Sequence, residues 1–200
     1  TPLAEAVGRY VLRAHKVHGD DTPIRALGGK GSKAHTGRLW VYVRDDRPSG
    51  DQAPPAVWFQ YSADRKGEHP ARHLKHFKGV LQADAFAGYN AIYKDGRVTE
   101  AGCWSHARRK LWDIHVKQQR LPGTLAHQGL VRIGELFKVE AEVNGRSALR
   151  RRRMRQVRSV PVLQEPLLIL PHLRQGIDRA SQEVLQGVDD LVGGLGMAEA

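Results

Sequence analysis

Two aspartates carry the strongest chemical signal in the chain. Asp20 lies in His18-Gly19-Asp20-Asp21-Thr22-Pro23, and Asp84 in Leu81-Gln82-Ala83-Asp84-Ala85-Phe86-Ala87-Gly88-Tyr89. Each closes an apolar or β-prone run and is followed by a turn or helix signal. Carboxylates at the ends of neighbouring strands can bridge two divalent ions roughly 3.5–4 Å apart, the arrangement that serves in-line attack at phosphodiesters. Mg²⁺ suits such a pair, because it favours carboxylate oxygens and retains waters that can act as nucleophiles; Mn²⁺ accepts the same donors. The competing reading makes both residues turn or helix-cap aspartates, which are common after strands. Asp21 competes with Asp20, but strand alternation from Val17 onward puts the two side chains on opposite faces.

A second constellation is Cys103-Trp104-Ser105-His106-Ala107-Arg108-Arg109-Lys110. A structural zinc site needs four ligands, and Cys103 is the only cysteine, so zinc is a poor fit. The residues read better as a strand end at Cys103, packed with Trp104, followed by a helix. That helix carries His106 in its first turn and turns Arg108, Arg109 and Lys110 toward phosphates, with a solvated basic face as the plain alternative. Gly28-Gly29-Lys30-Gly31-Ser32-Lys33 lacks phosphate-loop spacing and precedes a strand rather than a helix. His69, His73 and His76 read as the polar face of a surface helix. Six arginines crowd positions 150–158, a solvated and non-specific phosphate-neutralising stretch.

The elements that must position these residues follow from periodicity. Residues 3–14 read as an amphipathic helix. Leu39–Val43 and Ala56–Tyr61 are strands, rich in aromatic and β-branched residues and joined by a long polar linker as antiparallel neighbours. Glu68 to about Phe77 is a helix with Pro70 near its first turn. Gly79–Asp84 is a short buried strand, Phe86–Tyr93 a short helix or turn, Val98–Cys103 a strand and Trp104–Lys117 a basic helix. Leu130–Val143 and 173–192 follow as amphipathic helices, with prolines 161, 166 and 171 between them. The order fits a mixed α/β sheet with helices on its faces.

Two hundred residues make one domain, or one domain with an extension. Lys and Arg number 32 against 21 Asp and Glu, a net charge of +11 that favours a polyanionic partner, foremost nucleic acid. No apolar run approaches the roughly 20 residues needed to span a membrane, and the start lacks signal-peptide character. A single cysteine suits a reducing, cytoplasmic setting. The opening on Thr1 suggests a fragment.

Five segments together resemble the central domain of insertion-sequence-66 family transposases: His18–Pro23, Thr36–Pro48, Tyr61–Pro70, Leu81–Tyr89 and Cys103–Lys110. They run in the family's order over roughly residues 1–160. The resemblance implies a ribonuclease-H-like α/β fold, a mixed sheet flanked by helices with a helical basic C-terminal extension, and DDE-type DNA cleavage and strand transfer. It makes Asp20 and Asp84 the first and second catalytic, metal-holding carboxylates, with two Mg²⁺ as cofactor. Cys103 and His106 resemble the Cys-x-x-His signature that follows the second aspartate in such transposases. DNA is the implied partner, with a homo-oligomer on DNA ends and element-encoded accessory proteins beside it. The expected location is the bacterial cytoplasm, on the nucleoid when DNA-bound.

The chain departs from the family in its third carboxylate, a Glu in an Asn-rich segment. Glu165, Glu183 and Glu199 all lack that context. Likeness fades after about Val162, and the family's amino-terminal DNA-binding region is missing. The expectation is therefore a truncated or frame-shifted copy: a remnant helix at 1–14, a catalytic core at 15–117, a helical basic segment at 118–158 and a divergent tail at 159–200. Little or no transposition is expected of it. The rival readings are a non-enzymatic basic nucleic-acid-binding remnant and a structure-specific nuclease of the same fold.

Overall fold

A computed structural model describes residues 1–27 and 34–164. The basic loop at 28–33, the helix expected at 173–192, and Glu165, Glu183 and Glu199 lie outside the described residues. The chain divides into two compact units. Residues 1–46 and 53–102 form the first; Arg47–Gln52 groups with the residues from Cys103 onward in the second.

The first unit is built on a five-stranded sheet ordered β3-β2-β1-β4-β5. Its strands are β1 (Lys16–Ala26), β2 (His35–Arg44), β3 (Ala56–Ser62), β4 (Gly79–Ala83) and β5 (Val98–Gly102). β1, β2 and β3 form an antiparallel meander, whereas β4 runs parallel to β1 and to β5. The antiparallel arms are long because Val41, Tyr42, Val43 and their partners Phe59, Trp58 and Val57 supply cross-strand pairs of β-branched and aromatic side chains.

β1 is longer than the sequence suggests. It does not stop near Asp20 but continues through Pro23 to Ala26, pairing with β2 throughout. Its ladder to β4 covers Lys16–His18 alone. From Gly19 onward β1 is laddered to β2 alone among the described strands, a setting where a proline's missing N–H is tolerated.

Alternation sorts the sheet's two faces. Val17, Trp40, Tyr42, Leu81 and Ala83 are buried on one face. There they meet α1 (Pro2–Val11), α2 (Glu68–His73), a 3₁₀ turn at Ala87–Tyr89 and α3 (Asn90–Tyr93), which contribute Val11, Leu74, Phe77, Tyr89 and Ile92. Full burial of each large apolar side chain contributes about 1.5–3 kcal/mol. On the other face Val57, Phe59 and Tyr61 remain 41–53% exposed. Gly79 opens β4 at φ +138°, and a Cβ there would lie 2.1 Å from the His15 carbonyl oxygen, so no other residue fits.

The three histidines of the α2 region do not form one polar face. His76 is exposed and His69 half-buried, but His73 is buried and hydrogen-bonded at Nδ1 to the Tyr42 hydroxyl, 3.0 Å away. Trp40, Tyr42 and Trp58 surround its ring at 5.8–6.2 Å. α2 is short, and its C-terminal end turns inward so that Leu74 and Phe77 reach the core.

The second unit is helical among the described residues. It contains α4 (Trp104–Lys117), α5 (Leu125–Val143), α6 (Ala148–Met154), a π-helical turn at Arg155–Ser159 and α7 (Val160–Gln164). α5 starts before the expected Leu130, because the Thr124 hydroxyl caps it by accepting the His127 N–H and Ala126 and Gly129 extend its buried stripe. The arginine run is helical. Ser147 caps α6, Arg155 makes a two-pronged pair with Glu140 (both contacts 2.6 Å), and Arg158 pairs with Glu142. Glutamates of α5 thereby neutralise part of the run.

Candidate catalytic site

Asp20 and Asp21 lie on opposite faces of β1, as alternation demands. Asp21 stands opposite Trp40 on the buried face, and its side chain is 1% exposed. Asp20 stands opposite Val41 on the other face and is exposed; its Oδ1 accepts the Asp21 N–H at 2.8 Å. Asp84 follows the last residue of β4. Its Oδ1 accepts the Phe86 N–H at 3.2 Å, turning the chain into the 3₁₀ segment.

The centre of the site is Arg65. Its Nε and Nη2 donate to Asp21 at 2.8–3.1 Å, and Nη2 also donates to Asp84 Oδ2 at 3.2 Å. Its guanidinium lies over the Phe86 ring, 4.1 Å from the centroid. Arg38 adds a further donor to Asp21 Oδ2 at 3.1 Å. Asp21 is thus paired by two guanidinium groups, as a buried carboxylate must be. Hydrogen bonding to Asp21, more than any other contact, pushes the Arg65 pKa up, so the group stays cationic.

Arg65 is held there by a chain of local contacts. The buried Trp40 indole N–H donates to Ser62 Oγ at 2.7 Å, and that hydroxyl donates to the Asp64 carbonyl at 2.5 Å. The two bonds fix the turn leaving β3. Asp64 Oδ1 then accepts the Lys66 N–H (3.1 Å) and meets His69 Nε2 (2.7 Å), and these two contacts, the Lys66 N–H foremost, hold its carboxyl below the usual range. The next residue, Gly67, lets the start of α2 touch the Ala87–Tyr89 turn, since a Cβ would lie 2.7 Å from the Gly88 carbonyl oxygen.

Burial first, and then the charges of Asp21, Asp84 and Asp20, drive the Tyr89 phenol strongly upward, with Arg65 opposing. All three aspartates therefore act electrostatically on one buried hydroxyl. Arg65 bridges Asp84 to Asp21. Sequence reasoning assigned no role to Arg65, Arg38 or Tyr89. The available signal was a basic residue just past a strand, inside a motif segment.

The remaining sequence candidates belong to the second unit. Cys103 is the extended N-cap residue of α4 and, like Trp104 and His106, is half-buried. Arg108, Arg109 and Lys110 are exposed on that helix. Among the described residues, one group has the composition of a metal-ligand set: Asp64, Glu68 and His69, with ligand atoms within 4.8 Å of one another. No helix of the described residues is long and apolar enough to cross a membrane.

Comparison with known proteins gives these features a lineage. A family model described as "Transposase IS66 family" matches residues 1–182, extending past Val162. Three relatives come from Sinorhizobium fredii (strain NBRC 101917 / NGR234), each carried as an uncharacterized protein. y4hP is 36% identical over 203 residues, covering 94% of this chain and 36% of that protein. y4qI is 32% identical over 168 residues, covering 80% and 31%, and y4jD is 31% identical over 186 residues, covering 90% and 36%. The chain thus spans about a third of the length of these relatives. No solved structure matches it significantly. On the extent of the family match, the chain belongs to the IS66 family of transposases.

Proposed function

We propose that this chain carries the DDE-type strand-cleavage and strand-transfer site of an insertion-sequence transposase on a ribonuclease-H-like sheet, with Asp20 and Asp84 as its first two carboxylates. The supporting observation is the parallel register of β1 and β4. His18 pairs with Gln82, and two further residues along each chain bring Asp20 level with Asp84. The sheet order β3-β2-β1-β4-β5, with an antiparallel meander beside two parallel strands, fits the mixed sheet that the family resemblance implies.

The donor set fits Mg²⁺ or Mn²⁺: two carboxylates with hard oxygen donors, one exposed and one partly so. Asp20 and Asp84 would hold the ions. Asp21 would not, because both of its oxygens are occupied by Arg65 and Arg38 and its side chain is sealed from solvent. When bound, the ions supply activation of water or a DNA 3′-hydroxyl and stabilisation of the leaving oxygen. The exposed Arg108, Arg109 and Lys110 would contact the DNA backbone without reading sequence.

The test is Mg²⁺- or Mn²⁺-dependent nicking of plasmid DNA and strand transfer by the purified chain, repeated with Asp84→Ala and Asp20→Asn. Metal-dependent cleavage lost in both variants supports the site. The net charge of +11 favours a second reading, a DNA-binding protein without catalysis. Salt-sensitive DNA binding unchanged by Asp20→Asn, with no cleavage in either metal, would establish that reading instead. Cleavage without strand transfer would mark a nuclease.

A further inference from the structure

The contacts of Arg65 are unequal. On Asp21 it makes a two-pronged, charge-assisted grip with Nε and Nη2 at 2.8–3.1 Å, on a side chain 1% exposed. On Asp84 it makes one contact, Nη2 to Oδ2 at 3.2 Å, on a side chain 22% exposed. The guanidinium is braced on its flat side by Phe86. Asp21 and Phe86 therefore fix the cation, and Asp84 is the partner it can release most readily.

Charge balance adds a second consideration. Arg65 and Arg38 set two positive charges against the carboxylates of Asp21 and Asp84. A divalent ion approaching Asp84 meets a carboxylate whose Oδ2 already faces a positive charge. Two cations on one carboxylate oxygen repel, and the guanidinium has a stronger partner on which to stay.

We infer that Arg65 is a built-in counter-cation for Asp84, anchored by Asp21, which a divalent metal must displace from Oδ2 in order to bind. The inference rests on the reading of Asp84 as a metal-holding carboxylate. Arg65 is a positioning residue in this scheme: without metal it keeps Asp84 neutralised and oriented, and its retreat is part of the free energy of metal binding. The opposite scheme, in which Arg65 merely props Asp84 in a metal-ready pose, predicts the reverse effect of removing its charge.

Mn²⁺ binding to the full 200-residue chain, measured by titration calorimetry and by the loss of the free-Mn²⁺ paramagnetic resonance signal, distinguishes the two. Arg65→Gln is expected to tighten Mn²⁺ binding about threefold to fivefold, the scale of one partly exposed ion pair. Arg65→Lys, which keeps a cation, stays within about twofold of wild type on the same scale. Because Arg65→Gln strands the buried Asp21 carboxylate, the double variant Asp21→Asn/Arg65→Gln is measured beside it and is expected to tighten binding as well. Unchanged or weaker binding in both variants, with wild type binding Mn²⁺ and Asp84→Ala losing it, overturns the counter-cation role and leaves the metal site standing. No Mn²⁺ binding by wild type or by either variant overturns both.

Discussion

Arg65 and Asp21 are joined by three contacts of 2.8–3.1 Å, two of them from Nε, although 44 residues separate them in the chain. This pair ties the turn after β3 to the middle of β1 and sets where Asp84 finds its cation. It is also a demanding electrostatic element, since the Asp21 side chain is sealed from water.

Removing the Asp21 carboxylate should therefore destabilise the protein by more than a surface ion pair would. Asp21→Ala leaves Arg65 and Arg38 without their shared acceptor, and a loss of about 3 kcal/mol is expected. Urea unfolding followed by circular dichroism measures it. A loss no larger than the roughly 0–1 kcal/mol of exposed pairs would show that water replaces the carboxylate freely.

Gly79→Ala tests the start of β4. The added methyl meets the His15 carbonyl oxygen at 2.1 Å in a left-handed backbone conformation. Either His15 or β4 must shift, at an expected cost above about 2 kcal/mol. Because Asp84 directly follows β4, the metal binding proposed for Asp84 would weaken along with stability. Thermal unfolding within about a degree of wild type would count against so tight a fit.

Acid should weaken the first unit through His73. Burial, more than the nearby Arg72 and His69, lowers its pKa from 6.5 to about 4, so the folded protein keeps the ring neutral and hydrogen-bonded at Nδ1 to the Tyr42 hydroxyl. Between those values the unfolded chain takes up a proton that the folded chain refuses. Stability is therefore complete above pH 6.5, falls as the pH drops, and has lost the whole contribution below about pH 4. The expected loss is about 2 kcal/mol, allowing for partial screening. Chemical denaturation at pH 7 and pH 4.5 should give a gap that narrows by that amount in His73→Asn; an unchanged gap would assign the acid sensitivity elsewhere.

Charge removal on α4 addresses DNA binding. If Arg108, Arg109 and Lys110 each meet a phosphate, the triple alanine variant loses close to three released counterions. The slope of log K against log salt then becomes shallower by about 0.9 per contact on duplex DNA. Fluorescence anisotropy over a salt series reads this directly, and the loss should be uniform across DNA sequences. An identical slope would remove these residues from the interface.

The sequence by itself determined most strands of the sheet and the segments that carry the family resemblance. Alternation of aromatic and β-branched residues marks β2 and β3, a buried apolar run marks β4, and the five motif segments carry the family. These signals are local, so they survive without tertiary information. Alternation alone also separated Asp20 from Asp21. Tertiary structure decided the rest. That β1 passes through Pro23 depends on β4 pairing with only its first three residues. That His73 faces inward depends on Trp40, Tyr42 and Trp58 from two strands. That part of the arginine run is neutralised depends on glutamates of α5 some fifteen residues away. Above all, the partnership of Arg65 with Asp21 and Asp84 joins three separate segments through long side chains. No periodicity or spacing encodes such a meeting; it exists only once β1, β4 and the turn after β3 have packed together.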